Sequence, residues 1–141
     1  MKGTTPEQPT RRAFIRLLSA VVAALLTLPA ALARAKRVAL PLAKLPKLQA
    51  VGGWIVLKIK GYEVLLVRDT EKTIHALNPT CTHKKCRVSY THSDRHFHCE
   101  CHKSAYALDG RVLDGPAPKP LQVYPAKLAG DRIILSLPDR K

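Results

Sequence analysis

The chain has 141 residues, room for one small domain with accessory segments but not for two full domains. Lysine and arginine number 24 against 10 aspartate and glutamate, and the first 33 residues hold four of those bases and one acid, so the remainder is itself strongly basic. Aromatic residues are 5%, which disfavours single-stranded nucleic acid and leaves an anionic membrane surface or an acidic protein as the partners such a charge suits.

At the N-terminus, Thr10-Arg11-Arg12-Ala13-Phe14-Ile15-Arg16 precedes an uncharged apolar run from Leu17 to Ala33. The pattern resembles a twin-arginine export signal, a route that carries proteins already folded, and it implies the bacterial periplasmic side. Residues 1–33 are expected as an N-terminal hydrophobic helix, either a signal or a retained membrane anchor. The 17-residue run sits at the lower limit for a span and is interrupted near its end by Pro29. Ala31-Leu32-Ala33 and Ala33-Arg34-Ala35 fit a cleavage site, so a soluble periplasmic product cut near Ala33–Ala35 is the alternative.

Residues 34–48 are expected as a tether, because Pro41 and Pro46 oppose a continuous helix. Residues 49–141 then form the domain. Trp54–Lys60 and Tyr62–Arg68 are β-rich runs joined at Gly61, and Thr73–Leu77 is a third, which together predict an antiparallel meander. Near the C-terminus, Gln122–Lys127 and Arg132–Leu137 flank Ala129-Gly130-Asp131, a hairpin signal. Between these β segments, Cys81–Pro120 is rich in Cys, His, Gly and Pro and is expected as a functional loop region.

That region carries the chemistry. Cys81-Thr82-His83-Lys84-Lys85-Cys86 and Cys99-Glu100-Cys101-His102-Lys103-Ser104 contain C-x-H, fifteen residues, then C-x-x-H. Two thiolates can hold a ferric iron while two neutral imidazoles hold a second, bringing less negative charge and a higher potential. A tetrahedral zinc site is the competing use of such donors.

The two boxes resemble those of Rieske proteins of cytochrome bc-type complexes, C-T-H-L-G-C and C-P-C-H-G-S. The downstream run Tyr106-Ala107-Leu108-Asp109-Gly110-Arg111-Val112-Leu113-Asp114-Gly115-Pro116-Ala117-Pro118 resembles the same family, in which Gly-Pro-Ala-Pro covers the cluster. The resemblance implies an all-β fold, a small antiparallel Rieske-type β sandwich with a cluster-binding loop subdomain. It implies one [2Fe-2S] cluster held by Cys81 and Cys99 on one iron and by His83 and His102 on the other. It also implies a Cys86–Cys101 disulfide, and Ser104 and Tyr106 as hydrogen-bond donors to cluster and ligand sulfur. His83 and His102 become the exit for an electron coupled to a proton.

The function implied is one-electron transfer as the iron–sulfur subunit of a quinol:cytochrome c oxidoreductase, with cytochrome b, a c-type cytochrome and quinol as partners. The chain would then be an electron-transfer subunit rather than a stand-alone enzyme. The alternative is the small subunit of an exported oxidase such as arsenite oxidase, or a free carrier. The chain departs from the family boxes at Lys84 and Lys85, where Leu-Gly is usual, at Glu100 for Pro and at Lys103 for Gly. Lys84 weakens the expectation of an apolar docking tip, and Lys85 and Lys103 fall where the family places glycine. His75, His92, His96 and His98 are expected to be structural or solvated.

Overall fold

Alternation of side-chain direction along Tyr62–Arg68 organises the domain. The computed structural model describes residues 36–139, so the hydrophobic helix expected over residues 1–33 lies outside them. Ten strands run in chain order: β1 Lys36–Pro41, β2 Trp54–Ile59, β3 Tyr62–Arg68, β4 Ile74–Leu77, β5 Ser89–Thr91, β6 His96–Cys99, β7 Ser104–Ala107, β8 Val112–Asp114, β9 Ala126–Ala129 and β10 Arg132–Leu137. They form three antiparallel sheets, β1-β10-β9, β2-β3-β4 and β5-β6-β7-β8.

The meander β2-β3-β4 agrees with its sequence signal. Lys60 and Gly61 turn the chain between β2 and β3 with positive φ of 49° and 84°, the two-residue geometry that matches strand twist. In β3, Val64, Leu65, Leu66 and Val67 are all fully buried. Because side chains alternate, Val64 and Leu66 join a core with Ile74, Tyr124, Ile133 and Leu135, while Leu65 and Val67 join a second core with Cys81, Phe97, Cys99 and Tyr106. The middle sheet therefore serves two cores, a base core and a site core.

Two expectations are corrected. Lys36–Leu48 is not a tether but part of the base. Lys36 to Pro41 pair in register with Leu137 to Arg132, and two 3-10 turns, Leu42–Lys44 and Pro46–Leu48, bury Leu45 and Leu48. Arg68 donates from Nη1 to the carbonyls of Leu48 and Gln49 at 3.2 and 2.6 Å, holding this segment to β3. The prolines permit it, since Pro41 ends a strand at a sheet edge and Pro46 opens a turn whose first N–H has no partner to lose. Second, the presumed loop region Cys81–Pro120 holds the four short strands of a complete sheet. The three antiparallel sheets agree with the expected all-β, antiparallel fold class. The C-terminal hairpin is present as β9 and β10, and its approach segment is tied to β4 by Tyr124 N–H to Ala76 O and Asn78 N–H to Gln122 O, both 2.8 Å.

Candidate metal centre

Each cysteine–histidine box sits on a hairpin tip. The first is carried by a stem in which Thr80 bridges Arg87, and it closes through Cys81 N–H to Cys86 O at 2.7 Å and Lys85 N–H to Cys81 O at 3.1 Å. The second joins β6 to β7, with Cys99 opposite Ser104 and Lys103 N–H donating to Cys99 O at 2.9 Å. Lys85 and Lys103 occupy the same place in the two turns, with φ of 63° and 59°. The left-handed backbone at both departures is retained without glycine, at a cost of about 1 kcal/mol each.

The hairpins are clamped by a Cys86–Cys101 disulfide with a Cα separation of 6.5 Å. Beneath it, Cys81 and Cys99 are free thiols, each 1% exposed. Above them, the rings of His83 and His102 meet edge to face with centroids 4.6 Å apart, His83 half-buried and His102 exposed. All four candidate ligands thus converge at the junction of the two hairpins, thiols inward and imidazoles outward. The sulfurs of Cys86, Cys99 and Cys101 also lie within 4.8 Å of one another, but two of the three are bonded together and so form no ligand set.

Buried polar groups surround the thiols. The oxygen of Tyr106 lies 3.2 Å from Cys81 Sγ and 3.3 Å from Thr82 Oγ1 and accepts a hydrogen bond from the backbone N–H of Thr82 at 3.2 Å, so its one proton is shared between the sulfur and the threonine oxygen. Burial pushes the Cys81 thiol up, but the Tyr106 hydroxyl and the backbone N–H of His83 outweigh it and bring the thiol below its ordinary value. Cys99 is pushed up by burial and by Cys81 beside it, although the backbone N–H groups of Cys101 and His102 oppose the rise. His83 is held below the usual imidazole range by partial desolvation and then by His102 and Lys84.

Of four buried polar side-chain atoms without a hydrogen-bond partner among the described residues, Arg68 Nε and His75 Nε2 lie elsewhere and two lie at this site. Ser104 Oγ and His83 Nδ1 are buried and lack any partner among the described residues. Such atoms are rare in native interiors and call for a missing acceptor or metal. A [2Fe-2S] cluster fits both: it supplies an iron for the nitrogen, sulfide for the hydroxyl and sites for two thiolates.

Two further supports were not singled out in the sequence. Thr82 Oγ1 donates to Lys119 O at 2.7 Å, tying the first box to the proline-rich loop. Gly115, at φ 87°, lies so close to the second box that a Cβ there would stand 2.6 Å from Ser104 Cα. The signal for the first was present in the box itself, and that for the second in the Gly-Pro-Ala-Pro run. Of the departures, Lys84 and Lys85 are exposed, while Lys103 Nζ donates to Glu100 Oε2 at 2.8 Å and holds that carboxyl below the usual range. The remaining histidines lie outside the centre: His75 Nε2 is 3.8 Å from Asp69, His92 Nδ1 is 3.1 Å from the Tyr90 hydroxyl, and the His96 and His98 rings face each other at 5.8 Å.

This geometry agrees with the comparisons to known proteins. The Rieske [2Fe-2S] domain family matches residues 40–125. The iron–sulfur subunit of the cytochrome b6-f complex of Chlorobaculum thiosulfatiphilum is 41% identical over 61 residues, 43% of this chain and 34% of its own length. The chain spans less than half the length of the curated relatives it matches. Among solved structures, the plasma membrane Rieske protein PetC3 of Synechocystis PCC 6803 superposes with a TM-score of 0.53 at 32% identity, covering 58% of this chain and 84% of that one. A chain of a hyperthermophilic respiratory Complex III gives 0.53 at 27%, covering 88% and 99%. With a family match over more than half its length and a ligand pocket of two buried thiols under two imidazoles, the chain belongs to the Rieske [2Fe-2S] domain family.

Proposed function

We propose that the chain transfers single electrons through a [2Fe-2S] cluster on Cys81, Cys99, His83 and His102, as the iron–sulfur subunit of a quinol:cytochrome c oxidoreductase. The observation that carries this is the polarity of the pocket, with thiols sealed inside and imidazoles at the surface. When bound, the cluster accepts and returns one electron. Cys81 and Cys99, both buried, would hold it through their thiolates. Tyr106 and Ser104 donate toward sulfur and favour the more negatively charged state. His83 and His102 would hold it through their imidazoles, and the exposed His102 imidazole could hydrogen-bond to a reduced quinol and take up its proton.

Cytochrome b and a c-type cytochrome are the partners this reading implies, by likeness to subunits of cytochrome b6-f and Complex III. Residues 1–33 would serve as a twin-arginine signal or membrane anchor that keeps the domain on the periplasmic side. Any swing of the domain would then pivot before Lys36, because Lys36–Leu48 is built into the base. Lys84 favours a second reading, since an exposed cation beside the histidines suits a polar partner such as the large subunit of an exported oxidase.

Iron and acid-labile sulfide analysis with electron paramagnetic resonance of the ascorbate-reduced protein tests the proposal. The wild type should show a [2Fe-2S] signal, and Cys81→Ser, His83→Ala, Cys99→Ser or His102→Ala should each abolish it. Bound zinc without labile sulfide in protein from its own host would overturn it. Purification from the native membrane then separates the two readings by the identity of the co-purifying subunits.

A further inference from the structure

The basic excess of the described residues is larger outside residues 69–120 than within them. Residues 69–120, which carry the site, hold eight basic and six acidic side chains, whereas residues 36–68 and 121–139, which build the base, hold nine and three. Three of those nine basic side chains share the outer face of sheet β1-β10-β9. Strand register places Arg37 opposite Ser136, Ala39 and Lys127 on either side of Ile134, and Pro41 and Ala129 on either side of Arg132. Opposed residues share a face in an antiparallel pair, so one face carries Arg37, Lys127 and Arg132 and no carboxylate. The inner face of the same sheet carries Ile133, Leu135 and Leu137 in the base core.

Arg37 and Lys127 stand beside an open groove of about 420 Å³ floored by Ile134, Ala129 and Ser136. Small residues between two cations leave room for an anionic group to approach both. Of the nearest acids, Asp139 pairs with Lys36 at 3.2 Å, and Asp131, in the β9–β10 turn, forms an exposed pair with Arg132 Nε at 3.8 Å, while Arg37 and Lys127 have no acidic partner among the described residues. In the sequence, only Arg34 and Ala35 separate the apolar run Leu17–Ala33 from β1, so the basic face begins where a lipid-compatible segment ends. Basic clusters next to apolar segments attract anionic headgroups.

We infer that the outer face of sheet β1-β10-β9 is a docking surface for the phosphate headgroups of an anionic membrane, with Arg37, Lys127 and Arg132 as its contacts. It holds the base against the lipid, while the thiols Cys81 and Cys99 belong to the other core. Attraction of this kind is electrostatic and is screened by salt.

The full chain, with its cluster loaded, is reconstituted into phosphatidylcholine vesicles with and without phosphatidylglycerol and treated with a water-soluble amine acylating reagent. Lysine modification is then read by mass spectrometry. Lys127 should react several-fold more slowly in the anionic vesicles, with Lys72 and Lys84 unchanged as controls within the same chain. High salt should restore the rate. Arg37→Glu with Arg132→Glu should abolish the protection, roughly fivefold for each cation lost, while the cluster signal stays intact. Equal Lys127 rates in both vesicles would overturn the inference, as would protection of Lys84 instead or uniform protection of all lysines. Loss of the cluster signal in wild-type protein would count against the electron-transfer reading and not against this one.

Discussion

The base and the site-bearing half of this domain are held together by different means. In the base the long strands have six or seven residues, β10 alternating between buried and more exposed positions and β3 buried on both faces, and burial of Val64, Leu66, Ile133 and Leu135 defines the structure. In the other half the strands run to three or four residues, and order comes from cross-links between loops. These are the Cys86–Cys101 disulfide, the Thr82–Lys119 bond, the close contact of Gly115 with Ser104, and an Asp69–Arg95 pair that ties the β3–β4 turn to the β5–β6 turn. A base built on pattern tolerates substitution at exposed positions. A site built on individual links does not, so each link can be removed and its effect read in one half.

The largest effect is expected at the disulfide. Cys86→Ser or Cys101→Ser removes the clamp between the hairpins at a cost of about 2–5 kcal/mol. Cluster loss to a chelator should accelerate, while hydrogen exchange in β1 and β10 stays near wild type; equal acceleration in both halves would erase the distinction. Gly115→Ala comes next. It places a Cβ against Ser104 backbone at a left-handed position, and about 3 kcal/mol is expected from overpacking and strain together. Chelator resistance should fall with the disulfide intact, as thiol counting would verify.

Ser104→Ala and Tyr106→Phe sharpen the comparison differently, because they alter the site without loosening it. Hydrogen bonds to charged groups are worth about 1.5–3 kcal/mol, so each hydroxyl should contribute about 60–130 mV. Voltammetry should find the midpoint potential lowered in each variant with iron retained, and unchanged potentials would remove both residues from the electronic role.

The smallest effect is at Asp69, which is buried, accepts from Arg95 Nε and Nη2 at 3.1 and 2.6 Å, and is held below the usual carboxylate range by that guanidinium. Asp69→Asn should cost about 1.5 kcal/mol near neutral pH, the low end for a charged hydrogen bond because the Arg95 side chain is 60% exposed. A carboxylate depressed in the folded state stabilises above its unfolded value of 3.8, and that contribution disappears as pH falls through the lower folded value. His75, lowered chiefly by burial, adds a loss that begins as pH falls through 6.5. Melting curves across that range should show both losses in the wild type and no Asp69 step in the variant.

The sequence disclosed the two halves unequally. The meander was legible because six- and seven-residue runs leave a period to read, and the ligands because Cys and His at fixed spacing have few other uses. The Lys36–Leu48 segment was misread: Pro41 and Pro46 look like breakers, and only a partner strand almost a hundred residues away shows them to be compatible with an edge strand and a turn. The strands Ser89–Thr91 and Val112–Asp114 are too short to show alternation. Thr82 and Gly115 act through contacts with residues distant in the chain or set by backbone angle, which composition does not carry.

Strand β3 is a party wall. Since its even residues belong to one core and its odd residues to the other, inserting a single residue there would hand each core the side chains of its neighbour. Neither core can therefore drift in volume alone, for a larger residue at Leu65 presses on the same backbone that carries Leu66. Sequence change in this strand is constrained twice over, and its amides, shielded on both sides, should be the last in the domain to exchange with solvent.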